Sequence, residues 1–205
     1  MARIFISGSA AVYNPWPESQ AQDLIQSVSR TLVREGFGIV SGFGLGIGDF
    51  VLNGVFRQLD AEGTHSLDDR LVVRPFPMAI SDVAERKRRW TSYREDMITH
   101  AGVALFLFGN KRNPAGAIIP ADGMEEEFRI AVAKGLFVVP VGCTGSTAAR
   151  LHQKVLDNFE HYYPMPGYRR HFEALARPGT VAKTTQRIST IVNKLREERT
   201  LPIGE

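Results

Sequence analysis

Two rhythms of apolar positions alternate along this chain. Short runs that are apolar at nearly every position occur at "RIFISG" (3 to 8), "FGIVSG" (37 to 42), "LVVRPFP" (71 to 77), "GVALFLFG" (102 to 109) and "LFVVPVG" (136 to 142). Runs of this length and unbroken apolarity predict strands covered on both faces. Between them lie segments with 3.6-residue spacing. Leu24, Ile25, Val28, Leu32 and Val33 share one helical face, with Pro17 in the first turn and Gly36 as the stop. Val51, Leu52, Val55, Phe56 and Leu59 mark a second helix, ended by Gly63. The stretch from Ser81 to His100 reads as helical, in one piece or two. A loop of about a dozen residues after Gly109 leads to a helix at "MEEEFRIAVAKG", and Ile188, Ile191, Val192 and Leu195 give a last one. "REERTLPIGE" reads as a frayed tail. Strands alternating with helices imply an α/β, Rossmann-like three-layer fold: a mostly parallel central sheet with helices on both faces. We read residues 1–198 as one nucleotide-binding domain and 199–205 as a C-terminal tail.

Composition narrows the chemistry. With 205 residues and 43% hydrophobic content the chain can bury one core. A net charge of +3 is mildly basic, and "ERKRRW" (85 to 90) holds four of the positive charges. That run suits either a solvated helix face or a phosphorylated ligand. No long basic stripe with interleaved aromatics exists, so no nucleic acid is expected as partner. Cys143 is the single cysteine, which rules out an internal disulfide and any multi-cysteine zinc site; with it we expect a buried thiol and a cytoplasmic chain. The five histidines lack ligand spacing, and no metal is expected. No apolar run reaches transmembrane length, and the N-terminus lacks a cleavable signal pattern, so no membrane association is expected.

In parallel sheets ligands sit at the carboxyl ends of strands, and the unusual residues of this sequence fall there. "SGSAA" follows the first strand and places Gly8 and Ser9 at its end. "SGFGLGIGD" follows the second, with Gly44 and Gly46 in its loop. Such a loop reads either as a phosphate cradle of backbone amides or as a tight strand-to-helix turn. It matches neither the dinucleotide fingerprint nor a P-loop. Arg94, within "SYREDM", suits a bidentate clamp on an anion or an ion pair with a helix neighbour. "GNKRNP" sets Asn110, Lys111 and Arg112 at a strand's carboxyl end. In "DGMEEEF", Asp122 is a candidate N-cap. Glu125, Glu126 and Glu127 favour the helix dipole unless one turns inward to accept ligand hydroxyls, and helical spacing does not say which. Phe76 is the aromatic placed to lie beside a base, whereas Trp16, Trp90 and the tyrosines of "EHYYPMPGY" read as packing residues.

Taken in order, these segments resemble the LOG and SLOG superfamily of Rossmann-like nucleotide-handling domains. "IFISGSA" is similar to its opening strand and loop, "GIVSGFGLGIGDFVLNGV" to its Y-G-G-G-x-x-G-L-M-G segment, and "YREDMITHAGVALFLFGN" to its R-x-x-M helix and strand. "GMEEEF" fits the G-T-x-E-E end of P-G-G-x-G-T-x-E-E, which sets the family's first glutamate at Glu126. Where the LOG enzymes carry P-G-G-x-G-T, this chain has "PADGM". The chain looks closer to the SLOG branch that accompanies sirtuin-like and TIR domains in bacterial anti-phage defence. That resemblance implies a receptor for a cyclic ADP-ribose isomer made by a TIR protein, with Arg94, Lys111 and Glu126 contacting the ligand. It implies no further cofactor and no catalysis by the domain itself. Its partners would be a sirtuin-like or TIR NAD-hydrolysing domain, in cis or in trans, and further copies of itself in a homo-oligomer. The alternative is a LOG-like nucleoside 5′-monophosphate phosphoribohydrolase with Arg94 and Glu126 catalytic.

Overall fold

A computed structural model describes residues 2–64, 66, 67, 69–77 and 79–197. The expected tail, 199–205, lies outside the described residues. The chain runs β1 (Arg3–Ser9), α1 (Glu18–Arg34), β2 (Gly38–Ser41), α2 (Gly48–Ala61), β3 (Leu71–Val73), α3 (Val83–Thr99), β4 (Val103–Phe108), β5 (Asn110–Arg112), β6 (Ile118–Pro120), α4 (Asp122–Ala133) and β7 (Phe137–Pro140). A 3₁₀ turn (Gly142–Thr144) then precedes α5 (Ser146–Asp157), α6 (Phe159–Tyr162), α7 (Arg169–Ala174) and α8 (Val181–Glu197).

Five strands form a parallel sheet in the order β3-β2-β1-β4-β7. Every residue of β2 and β4 is buried, so helices cover both faces, as their unbroken apolarity predicts. The chain builds outward from β1 through β2 to β3, then returns to lay β4 on the other side of β1. At that reversal sheets of this kind commonly open a crevice. Here Asn110, just after β4, bonds Ser9, Ala11 and Val12 of the loop after β1 and closes it. No helix among the described residues is long and apolar enough to cross a membrane.

Several elements differ from the sequence reading. The third strand stops at Val73 rather than Pro77, because the prolines that follow cannot continue a ladder. The segment 83–99 is one helix, capped by the Asp82 side chain, which accepts from the Glu85 amide. The loop after Gly109 contains the antiparallel hairpin β5–β6, with Lys111 opposite Ile119. Asp122 is not the N-cap of α4: Ala121 holds that position, and Asp122 is the first helical residue. The sequence reading also placed no helix between Gly142 and Ile188, where α5, α6 and α7 lie. There Tyr163, stacked on Phe159, donates its hydroxyl to the Val138 carbonyl at 2.8 Å and fixes this region to β7. Cys143 is buried as expected, and burial pushes its thiol up.

Candidate nucleotide cleft

The glycines after β2 make room for the chain's own backbone. A Cβ on Gly44 would stand 2.0 Å from the Gly8 carbonyl oxygen, and one on Gly46 would stand 2.2 Å from that of Ala10. Gly46 also has a φ of 67°, which side-chain-bearing residues rarely adopt. The Ala10 amide donates to the Leu45 carbonyl at 2.7 Å, and the Tyr13 hydroxyl to that of Gly46 at 2.7 Å. The loops after β1 and β2 are therefore stitched together. The tight-turn reading describes Gly44 and Gly46. Gly8 and Gly44 border only a small hollow of about 30 Å³, shared with Ser7, Gly42, Phe76 and Glu127.

Asn110 is used in the same way. Its Oδ1 accepts from the Ala11 and Val12 amides at 2.9 and 3.0 Å, while its Nδ2 donates to the Val12 carbonyl and to Ser146 Oγ. Ser9 donates its hydroxyl to the Asn110 carbonyl at 2.6 Å. Both residues thus hold the loop after β1. With four hydrogen bonds already made and 2% exposure, the Asn110 amide has no capacity left for a ligand.

Arg94, Lys111 and Glu126 come together, although α3, β5 and α4 deliver them from separate parts of the chain. All three line one cleft of about 820 Å³ between α3 and α4. Arg86, Lys87, Arg129 and Lys154 line it too, against the carboxylates of Asp122, Glu125 and Glu126, so its walls carry an excess of positive charge. The Arg86 and Lys87 part of "ERKRRW" faces this cleft, whereas Arg88 and Arg89 pair with Glu85 on the exposed surface.

Arg94 sits at the back of the cleft, 7% exposed. Its Nε donates to Glu127 Oε1 at 3.3 Å and its Nη1 to Glu126 Oε2 at 3.0 Å. The guanidinium lies over the Phe76 ring, 4.9 Å from its centroid, so Phe76 presents its face to Arg94 and its edge to Trp90. Gly123 is small for a reason: a Cβ there would come 2.7 Å from Arg94 Nη2.

The three glutamates diverge because each helical residue turns by about 100°. Glu125 lies at the exposed mouth of the cleft and pairs with Arg150. Glu126 faces the cleft, where its second oxygen accepts from Thr91 at 2.5 Å. Glu127 turns into the core, where its Oε2 accepts from Ser7 Oγ at 2.6 Å. Burial pushes the Glu127 carboxyl up, and the Ser7 hydroxyl and the Arg94 charge oppose that. At the rim Lys111 pairs with Asp122 and holds that carboxyl below its ordinary value. Ser7 is a site residue that the sequence reading missed, and Glu127 is one that it left open among three glutamates. The signal for Glu127 was the second glutamate of the pair; Ser7, an ordinary serine in a strand, gave none.

Comparison with known proteins identifies the family. Residues 1–198 match the family model described as the Sir2- and TIR-associating SLOG family, STALD. The chain is 45% identical over 161 residues to the NAD(+) hydrolase ThsA of Bacillus cereus (strain MSX-D12), covering 78% of this chain and 33% of that protein. It is 37% identical over 179 residues to the ThsA of Acinetobacter baumannii (strain 532279), covering 84% and 37%. With the ThsA of Enterococcus faecium the identity is 35% over 199 residues, covering 95% and 40%. The chain thus spans between a third and two-fifths of the length of these relatives. Among solved structures, the X-ray structure of TM1055, a structural-genomics target, superposes with a TM-score of 0.56 at 18% identity, covering 93% of this chain and all of that one. It shares the Rossmann-like fold. The chain belongs to the STALD family of SLOG domains.

Proposed function

We propose that the domain is a receptor for a cyclic ADP-ribose-type nucleotide made by a TIR protein, and that occupancy regulates an NAD-hydrolysing effector in anti-phage defence. The supporting observation is the convergence of Arg94, Lys111 and Glu126 on one cleft with a surplus of cations. Its volume falls within the range of about 300–1,000 Å³ that small-molecule sites occupy. The ligand carries a pyrophosphate and ribose hydroxyls. Arg94 and Lys111 would hold the pyrophosphate, and Glu126 would accept from the hydroxyls. Phe76 backs Arg94 in this arrangement rather than a base. The NAD hydrolysis named for the relatives would be carried by a sirtuin-like or TIR domain, in the same chain or a partner, with signal passing through contacts between copies. The proposed receptor works in the cytoplasm, without a cofactor.

Thermal-shift and calorimetric titration with NAD, ADP-ribose and its cyclic isomers tests the reading. At a hundred times its dissociation constant a ligand adds about 2.7 kcal/mol. For a domain of this length that raises Tm by about 5–11 °C. Lys111→Ala, a rim residue outside the core, should abolish most of the shift. No shift and no heat with any isomer would refute the reading. Release of free base from a nucleoside monophosphate, lost in Glu126→Ala, would establish the phosphoribohydrolase alternative instead.

A further inference from the structure

Arg94 carries five N–H donors, and among the described residues two of them are used, one for each neighbouring glutamate. The two carboxylates are not equivalent. Glu127 borders a hollow of about 30 Å³, where Ser7 holds its other oxygen and little room is left for it to turn away. Glu126 stands in the wall of the 820 Å³ cleft, with open space beside it. Glu126 holds the Nη1 side of the guanidinium and Glu127 the Nε side, so of the two carboxylates Glu126 is the one that an anion entering the cleft meets. A phosphate at this guanidinium would lie beside Glu126, and the repulsion between two negative groups at one cation favours departure of that carboxylate.

We propose that the paired glutamates divide the work: Glu127 is the permanent anchor that aims Arg94, and Glu126 is a built-in competitor that an entering phosphate displaces. The exchange breaks the Glu126 contacts with Arg94 and Thr91, which both tie α4 to α3, and leaves the Ser7–Glu127–Arg94 chain intact. Filling the cleft thereby removes two links between α3 and α4. Glu126, once free, becomes available to ligand hydroxyls. The inference rests on the reading that the cleft takes a phosphorylated ligand and adds how its occupancy is registered.

The test is titration of the full chain, labelled with nitrogen-15 arginine, with inorganic pyrophosphate, alongside Glu126→Gln. That variant keeps an acceptor for Thr91 and removes the competing charge. It should bind pyrophosphate more tightly than the wild type by about tenfold. At saturation the Arg94 Nη resonances should move while the Nε–H resonance holds its position. Equal or weaker binding by the variant, an Nε–H signal that moves as far as the Nη signals, or no binding of pyrophosphate by either protein would each overturn the exchange. A response to pyrophosphate without one to ADP-ribose or its cyclic isomers discards the nucleotide reading and leaves the exchange standing.

Discussion

Replacing Arg94 by alanine isolates the electrostatic problem at the centre of the site. The Arg94 and Glu127 side chains are only 9% and 10% exposed, so the substitution leaves a carboxylate buried with the Ser7 hydroxyl as its single partner. Removing one member of a buried pair costs about 3–5 kcal/mol when the survivor stays charged. The cost must then depend on pH. Burial raises the Glu127 carboxyl above its ordinary 4.5, so between 4.5 and its folded value the folded chain holds a proton that the unfolded chain has released. Stability from this group is complete below 4.5 and is lost as pH rises through the folded value. Arg94 opposes the upward shift, so its loss pushes the carboxyl higher and widens that window. At pH 7.5 the variant should lose about 6–20 °C in Tm, from about 2–4 °C per kcal/mol for a domain of this size. Burial favours the protonated Glu127, which needs no counter-ion. The loss should therefore be smaller at pH 5 and approach about 1–2 kcal/mol for the missing hydrogen bond as that carboxyl takes up its proton. Circular-dichroism melts at both values provide the measurement, with Arg94→Leu combined with Glu127→Gln as the neutral control. The control should recover most of the deficit at pH 7.5. An equal loss at both pH values would refute the reasoning.

Three further outcomes are expected. Gly44→Ala drives a methyl into the Gly8 carbonyl and should lower stability by about 1–3 kcal/mol; an unchanged urea midpoint would mean that the loops can separate. Asn110→Ala strips the Ala11 and Val12 amides of their acceptor, and should cost about 1–3 kcal/mol and speed hydrogen exchange at those two positions. His152 is buried, stacked on Phe172 and bonded through Nε2 to the Phe172 carbonyl, and burial lowers its ring below the ordinary 6.5. The unfolded chain therefore takes up the proton first, so stability falls as pH drops below about 6.5, and His152→Gln should flatten that slope in chemical denaturation.

The sheet was legible because buried parallel strands leave an unmistakable mark: β4 is apolar at every position and every position is buried. The hairpin β5–β6 was hidden because its three-residue strands, one of them "NKR", carry too few positions to show a period. Helix α5 was overlooked although Ala148, Leu151, His152 and Val155 recur at helical spacing, since a histidine interrupts the apolar face. At the site, the resemblance to SLOG domains implied a shared role for Arg94, Lys111 and Glu126, and the three do line one cleft. The role of Glu127 was not legible, because three consecutive glutamates read alike until the phase of the helix is known. The glycine loop misled for a related reason. A missing side chain announces a close approach and stays silent on whether a ligand or the chain itself makes it.

The hollow behind Arg94 has a bearing on how this domain diversifies. Ser7, Glu127 and Phe76 hold the guanidinium from within, where nearly any exchange disturbs folding. The outer cations, Arg86, Lys87, Arg129 and Lys154, belong to helix surfaces that the core does not need. Mutation can therefore rewrite the charge of the rim while the interior setting of Arg94 is inherited unaltered.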